Sequence, residues 1–311
     1  MSAHLALHEE VAAALADGRP LVALESTVIA QGLPYPRNLE AAVRMEVAVR
    51  TAGAVPAMAA VLSGRITFGL TATEIERVAR GKGFAKASRR DLAGLVARGG
   101  DGATTVSATM LAARSAGIPI FATGGIGGVH RGAAESLDVS ADLTELARTP
   151  VAVVAAGAKA ILDLPATLEM LETAGVPVVG YGTDRFPAFY ARDSGLPLEA
   201  RVDTPAEAAA LLEAQRQMGL ETGVLIANPP PEESAIARET LEDWIDRALR
   251  DSAAQDVRGK AVTPFLLARL SELSGGETLE ANLALLESNA GVAAEIAVAW
   301  TGLRNSKEAR N

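Results

Sequence analysis

The sequence contains no cysteine, which excludes disulfide bonds, thiolate zinc sites and a cysteine nucleophile. Any bound metal must therefore take oxygen or histidine ligands, and the chain has 3 histidines. No uncharged apolar run reaches the ~18 residues that a membrane span needs. The first ten residues have neither a basic leader nor an apolar signal core. We therefore expect a cytoplasmic protein with no membrane partner.

Aromatic side chains are also scarce, at 4% of the 311 residues, although hydrophobic residues as a whole make up 49%. A core of alanine, valine, leucine and glycine is typical of helices packed closely on a sheet. Acidic residues outnumber basic residues by 38 to 29, which gives a net charge of −9. Because binding to a phosphate backbone requires a basic face, this charge argues against nucleic acid as a partner. It still allows a local basic pocket for one phosphate group.

Short apolar runs alternate with helical patterns along most of the chain, which predicts strand–helix–strand units and a parallel sheet. Strands are predicted within 20–26, 55–68 (two strands with a turn at 63–64), 118–122, 151–156, 176–179 and 223–227. Helices are predicted within 5–15, 38–52, 71–80, 102–115, 165–174 and 204–218, with mostly helical sequence from 231 onward. The stiff segment 228–231 is too short to separate domains. We therefore expect one domain over 1–311, an α/β/α layered fold with a central, mostly parallel or mixed sheet.

The segment from Val151 to Lys159 reads as a buried strand that ends in small residues and then presents a lysine. In open α/β sheets, ligands bind just beyond the carboxyl ends of strands. An amine held there against apolar walls loses hydration, which favours its neutral, nucleophilic form. Such an amine can attack a carbonyl or a masked aldehyde. The alternative is a lysine whose charged end simply reaches solvent.

Glu25 has an equivalent place, after the apolar residues of the first predicted strand. A carboxyl group at that position is expected to have a raised pKa, which suits proton transfer near neutral pH. A helix-capping or loop carboxylate is the alternative.

Two segments suggest an anion site. Residues 86–91 place Lys86 and two arginines within a short run, which could form a phosphate pocket or a solvated basic loop. Residues 102–109 form a hydroxyl-rich helix start, whose backbone N–H groups could bind phosphate or sugar. Tight packing of small residues would explain the second segment equally well.

Residues 123–132 form a glycine-rich loop after a predicted strand, and they end with His130 and Arg131 before the last glycine. Closely spaced glycines let the backbone approach a ligand, and these two side chains add a switchable donor and a cation. The spacing matches neither a Walker A loop nor a dinucleotide fingerprint. We interpret the loop as a ligand site, with a flexible surface turn as the alternative.

Asp138 and Asp142 lie four residues apart, with Ser140 between them. Hard divalent cations such as Mg²⁺ or Mn²⁺ favour oxygen ligands of this kind, often one or two carboxylates with waters. The alternative is a capping role for Asp138 with Asp142 exposed.

Together these motifs resemble the pseudouridine-5′-phosphate glycosidase family, also called the indigoidine synthase A-like family, over about residues 20–303. The long ordered series of motifs is specific, although no single motif is. The resembling segments are 23–27, 32–36, 86, 88–92, 102–106, 121–132, 138–143, 156–165, 178–184, 186–190, 227–230 and 259–289. The departures are small: Gln31 stands where a histidine is expected, and Ala87 precedes Ser88.

The resemblance implies reversible cleavage of the C–C glycosidic bond of pseudouridine 5′-phosphate, giving uracil and ribose 5-phosphate. It implies that Lys159 is the nucleophile, which forms an imine at C1′ of the ribose, and that Glu25 is the proton donor. It further implies that Asp138 holds Mn²⁺ through itself and waters. The residues implied to contact substrate are Lys86, Val106, Ser140, Ala141, Asp142, His130 and Arg131 (both with the phosphate), and Asn282 (with the base).

The chemistry agrees with this resemblance. A carbon–carbon glycosidic bond has no basic leaving-group atom to protonate, so the two carboxylates of ordinary glycosidases are insufficient. An iminium at C1′ supplies an electron sink, which an amine nucleophile can provide. The family also suggests a homotrimer acting on a small nucleotide. Two alternatives are a class I aldolase-like Schiff-base lyase acting on a sugar phosphate and a non-catalytic sugar-phosphate sensor.

Overall fold

The structure is a computed structural model that describes residues 4–257 and 259–308. The strands are β1 (Leu5–Leu7), β2 (Leu21–Leu24), β3 (Val55–Leu62), β4 (Arg65–Phe68), β5 (Ala85–Ala87), β6 (Gly102–Thr104), β7 (Ile120–Ala122), β8 (Val129–His130), β9 (Ala152–Ala155), β10 (Leu162–Asp163), β11 (Val178–Tyr181), β12 (Ala200–Val202) and β13 (Val224–Ala227). The helices are α1 (Glu9–Ala16), α2 (Arg37–Thr51), α3 (Ala72–Ala79), α4 (Arg89–Arg98), α5 (Val106–Ala116), α6 (Ala133–Ser136), α7 (Ala141–Leu146), α8 (Leu164–Thr173), α9 (Pro205–Gln217), α10 (Arg238–Ala254), α11 (Val262–Leu273) and α12 (Glu277–Glu308). A π-helical turn covers Val28–Gly32, and 3-10 turns cover Glu232–Ser234 and Gly259–Ala261.

The main sheet is mixed and mostly parallel. Its strands follow the order β1-β4-β3-β2-β7-β9-β13-β11-β12, and β6 pairs with β3 and β5. In this sheet β3 runs antiparallel to β4 and β6, whereas β2, β7, β9 and β13 are parallel neighbours. The carboxyl ends of these four strands therefore lie at one edge. The predicted fold class is confirmed.

Helices cover the sheet, and the central strands are buried. Helix α12 packs on β2, β7 and β9 with α2 and α9 beside it, and α5 packs on β2 and β7 next to α7. Every residue of β2, β9 and β13 is buried, as expected for parallel strands that are covered on both faces. Within the described ranges, α12 is the one helix long and apolar enough to cross a membrane by length and composition. Because α12 packs on the sheet, its apolar side chains contribute to the core.

Several local predictions are confirmed. The hydroxyl of Thr71 accepts a hydrogen bond from the backbone N–H of Glu74, and these residues form the predicted capping box of α3. Ser63 and Gly64 both have positive φ in the tight connection between β3 and β4. The predicted strands at β2, β7, β9, β11 and β13 and the predicted helices at α2, α8 and α9 are present, with small differences at their ends.

Two other local predictions are wrong, because pairing in the sheet overrides a helical pattern. Residues 5–7 form β1, parallel to β4, so the first predicted helix begins only at Glu9. Residues 102–104 form β6, which lies between β3 and β5, so the next predicted helix begins at Val106. For the basic run at 86–91, the alternative of a solvated loop is also wrong, because the run covers the end of β5 and the start of α4.

Candidate functional site

A cavity of about 580 Å³ lies at the edge where β2, β7 and β9 end. Its size is in the usual range for small-molecule sites. Helices α11 and α12 contribute further walls, through Thr263, Leu267 and Asn282 among others. The sequence-predicted site residues that line it are Glu25, Lys86, Val106, His130, Asp138, Ser140, Ala141, Asp142, Lys159 and Asn282.

Glu25 directly follows β2 and is 7% exposed. Its carboxylate accepts a hydrogen bond from the hydroxyl of Thr123, which directly follows β7. The two residues are neighbours because Leu24 pairs with Ala122 in the sheet register. Burial raises the pKa of Glu25, while the charge of Lys159 and the Thr123 hydrogen bond partly oppose that rise. The predicted direction of this pKa is confirmed, and a buried acid of this kind can donate a proton to a ligand.

Lys159 lies four residues after the end of β9 and is partly buried. Its Nζ atom donates a hydrogen bond to the carbonyl oxygen of Gly125 at 2.9 Å. Its backbone N–H donates to the carbonyl oxygen of Ile126 at 3.1 Å. Both the main chain and the side chain of the lysine are therefore bonded to the glycine-rich loop of residues 123–132, called the glycine loop below. The Lys159 charge acts on Glu25. The amine and the acid therefore interact electrostatically in the cavity wall.

The glycine loop contacts neighbouring residues so closely that some of its positions have no room for a side chain. A Cβ atom at Gly127 would lie 2.3 Å from Ser140 Oγ, so no side chain fits there. The backbone N–H of Gly127 donates to Asp142 Oδ2 at 2.9 Å, and the N–H of Ser107 donates to Asp142 Oδ1 at 3.0 Å. Asp142 therefore links the loop to the start of α5. Its predicted contact with substrate stays a prediction.

The end of β7 is also held by α12. The side-chain amide of Asn289 donates to the carbonyl oxygens of Thr123 and Gly124, at 2.8 and 3.3 Å. Its oxygen accepts a hydrogen bond from the amide of Asn228 at 2.9 Å. All of these groups are buried. A residue near the end of the chain thus fixes the backbone beside the candidate acid.

The basic run has two arginines with different surroundings. Arg89 Nη1 donates to both oxygens of the fully buried Glu145, at 2.7 and 2.9 Å. Arg90 instead lines the cavity with Lys86 and Ser88. Neighbouring positions on a helix face different directions. The sequence alone did not show which of the two arginines would face the cavity.

His130 and Asp138 both line the cavity. Burial lowers the pKa of His130, Asp138 opposes this, and the charges of Lys159 and Lys86 lower it further. A histidine with a lowered pKa is neutral near pH 7, so it acts as a hydrogen-bonding group rather than as a cation.

Asp138 is the candidate metal ligand. Among residues 4–257 and 259–308, no group of three or more His, Asp or Glu side chains could share a metal. Mg²⁺ and similar ions commonly keep several waters and bind through one or two carboxylates and substrate oxygens. Asp138 lines the cavity and could supply a carboxylate to such an ion, whereas the described residues form no cage made wholly of protein ligands.

Arg131 is the predicted site residue that the structure does not bring to the cavity. Its guanidinium lies 2.9 Å from Glu242 and 3.7 Å from Asp246, both on α10. It also donates to the carbonyl oxygen of Ala160 at 3.4 Å. Its predicted contact with phosphate is unsupported by this position.

Sequence reasoning missed several lining residues. Thr123, Gln31 and Phe189 all line the cavity. Thr123 could have been identified from the sequence, because it directly follows a strand, as Glu25 does. The Oε1 atom of Gln31 and the Oδ1 atom of Asn282 are buried without a hydrogen-bond partner in the described part of the chain. These two acceptors are suited to donors on a ligand.

Comparison with known proteins gives matches over nearly the full length of the chain. The family described as "Indigoidine synthase A like protein" matches residues 10–299. A protein of Rhodospirillum centenum, named pseudouridine-5′-phosphate glycosidase, is 60% identical over 300 residues, covering 96% of this chain and 93% of the relative. A protein of Deinococcus radiodurans with the same name is 55% identical, and the match covers 97% of each chain.

Two solved structures have the same fold. The prealnumycin C-glycosynthase AlnA, solved in complex with ribulose 5-phosphate, superposes with a TM-score of 0.91 at 42% identity, covering 98% of this chain and 100% of that chain. An indigoidine synthase A-like protein from Thermotoga maritima has a TM-score of 0.87 at 38% identity, covering 97% and 98%. The resemblance inferred from the motifs is confirmed. The chain belongs to the indigoidine synthase A-like family.

Proposed function

We propose that this enzyme reversibly cleaves the C–C glycosidic bond of pseudouridine 5′-phosphate, giving uracil and ribose 5-phosphate. The names of the relatives that match over nearly their whole length support this reaction. The observation that carries the proposal is the pairing of an amine, Lys159, with a buried acid, Glu25, in one nucleotide-sized cavity. The similarity to a C-glycosynthase is consistent with a bond that can be made or broken.

The amine of Lys159 attacks C1′ of the ribose, and the bond from C1′ to the ring oxygen breaks. The proton that the lysine nitrogen loses passes to the ring oxygen, which becomes a hydroxyl group of the opened sugar. The C1′ carbon then carries both the lysine nitrogen and the uracil. The carbonyl oxygen of Gly125, 2.9 Å from Nζ, holds the amine at the cavity wall before the attack.

The carboxyl group of Glu25 next donates its proton to C5 of uracil as the C1′–C5 bond breaks. The electron pair of that bond stays with the base, and the nitrogen lone pair forms the C1′=N bond of an imine. Water hydrolyses the imine, which releases ribose 5-phosphate and restores the amine. The raised pKa of Glu25 keeps the proton available for this step.

The remaining groups bind the two ends of the substrate. Lys86 and Arg90, on β5 and α4, bind the phosphate. Asn282 binds the base with its unpaired acceptor. Neutral His130 donates a hydrogen bond to the phosphate end. Val106, Ser140, Ala141 and Asp142 line the sugar-binding region, where Asp142 acts chiefly by fixing the backbone.

A divalent cation, Mn²⁺, belongs to the proposed site. Asp138 would hold it, with waters and substrate oxygens as the other ligands. When bound, the ion neutralises negative charge on the substrate. We also propose a homotrimer in the cytoplasm, which rests on the family resemblance.

A uracil-release assay with pseudouridine 5′-phosphate and Mn²⁺, with and without borohydride, tests the proposal. We expect uracil release and, after reduction, a covalent pentose phosphate adduct on Lys159. Lys159→Ala should abolish both with little loss of fold, whereas the exposed Lys82→Ala serves as a matched control with unchanged activity.

Other results would identify the alternatives. An aldol product without uracil would indicate the Schiff-base lyase, and binding of ribose 5-phosphate without turnover would indicate the sensor. Uracil release by Lys159→Ala at the wild-type rate would refute the assignment of the nucleophile.

A further inference from the structure

A tight turn formed by Ala188 to Ala191 lies against the glycine loop. Ala188 and Ala191 bond each other through their backbones, at 2.9 and 3.2 Å, so Phe189 and Tyr190 are the two central residues. Phe189 has a φ of 59°. Turns that require positive φ at this position normally carry glycine or asparagine, and a bulky residue there is an outlier. Such strain persists where the surrounding structure enforces it, and it is frequent at functional sites.

The ring of Phe189 touches the glycine loop. A Cβ atom at Gly125 would lie 2.5 Å from Cδ2 and 2.8 Å from Cε2 of this ring, and one at Gly124 would lie 3.3 Å from Cε2. The ring can therefore reach the loop backbone only because glycine occupies these positions. Phe189 is 3% exposed and also lines the cavity.

The same turn is bound to the segment that carries Lys159. The backbone N–H of Phe189 donates to the carbonyl oxygen of Ala156 at 3.0 Å, and Ala188 forms a bridge with Gly157. A Cβ atom at Gly157 would lie 2.3 Å from the carbonyl oxygen of Pro187. The turn thus packs against both segments that hold the lysine.

We propose that Phe189 is a positioning residue for the reaction. Its ring fixes the peptide of Gly125, whose carbonyl oxygen holds the Lys159 amine in line with the carbon it attacks. This inference rests on the proposed function and adds a residue to it. Glycine at this position would relieve the backbone strain, but it has no ring to fix the loop. The inference therefore accounts for the presence of phenylalanine there.

Two single variants test the contact from its two sides. Phe189→Leu removes the ring, and Gly125→Ala displaces it. Because an error of about 1 Å in the position of a reacting group can cost roughly 100-fold in rate, each variant should lower kcat for uracil release by about 10- to 100-fold. The KM should stay within about threefold, because the residues proposed to bind phosphate and base are untouched. Borohydride trapping of Lys159 with ribose 5-phosphate should slow in parallel with kcat.

A double variant separates positioning from general packing. Leucine leaves room for the added methyl group, so Gly125→Ala with Phe189→Leu should recover about tenfold in kcat over Gly125→Ala alone. Phe68→Leu is the matched control, since Phe68 is fully buried in β4 and does not line the cavity. It should lower the melting temperature and leave kcat and trapping unchanged.

Three results would overturn the inference. They are a wild-type kcat for Phe189→Leu, no recovery in the double variant, or a kcat loss in Phe68→Leu equal to that in Phe189→Leu. In each case the wild-type enzyme still releases uracil, so the proposed function stands and only the positioning role fails. A wild-type enzyme that releases no uracil would remove both proposals.

Discussion

The hydroxyl of Thr123 is predicted to set the pH range over which Glu25 can act as an acid. It donates a hydrogen bond to the Glu25 carboxylate, and both side chains are almost fully buried. This bond stabilises the ionised form, so it opposes the effect of burial on the pKa of Glu25. Thr123→Val keeps the shape of the side chain and removes the donor. The pKa of Glu25 should therefore rise further.

The size of the effect follows from the bond that is lost. A hydrogen bond to a charged group contributes about 1.5–3 kcal/mol. Since 1.36 kcal/mol corresponds to a factor of ten in a protonation equilibrium, the protonated fraction of Glu25 at alkaline pH should rise by roughly 10- to 100-fold. The acid must be protonated to act, so the alkaline limb of the pH–rate profile should move to higher pH.

The assay is uracil release across pH, with each variant normalised to its own plateau. Thr123→Ser keeps the hydroxyl group and should leave the limb near its wild-type position. Thr149→Val is a matched control, because the hydroxyl of Thr149 also donates to a buried carboxylate, that of Glu145, which does not line the cavity. An alkaline limb that stays in place or moves to lower pH in Thr123→Val would refute the role of Glu25 as the proton donor.

Three further predictions follow from the cavity walls. A chelator should lower the wild-type rate, and Asp138→Asn should remove most of the effect of added Mn²⁺; indifference of the wild type to chelation would argue against the metal. His130→Gln should leave the KM at pH 7 within about threefold, because a neutral imidazole has no charge to lose; a much larger increase would indicate a protonated histidine. Arg90→Ala should raise the KM by about 10- to 100-fold, as expected for loss of a charge-assisted bond. Arg131→Ala should change it little, and the reverse order would contradict the proposed phosphate site.

Much of the fold was predictable because the signals were local. The Thr71–Glu74 capping box and the apolar runs of β2, β9 and β13 are each specified by a few adjacent residues. The short strands β1 and β6 were not predictable in this way. Residues 5–7 and 102–104 form strands because β4, and β3 with β5, lie beside them. That information resides in partners distant in sequence.

The candidate site was predictable where a residue type and a strand end coincide, as at Glu25 and Lys159. It was not predictable where the direction of a side chain decides whether that side chain reaches the cavity. Arg131 lies within the glycine loop, yet its side chain faces α10, whereas that of Arg90 lines the cavity. Phe189 carried no chemical signal in the sequence, because its importance lies in a backbone angle and a contact with Gly125.

The amide of Asn289 has a consequence for how the enzyme is made. A ribosome completes the strands that carry the acid and the amine well before it reaches α12. Until α12 emerges and docks, the carbonyl oxygens of Thr123 and Gly124 lack the side-chain amide of Asn289, and that of Gly124 is bound by the backbone N–H of Ala156. A nascent chain that already contains Lys159 is thus expected to hold the start of the glycine loop less firmly than the complete fold does. Catalytic competence would then appear only after α12 has been made and has packed on the sheet.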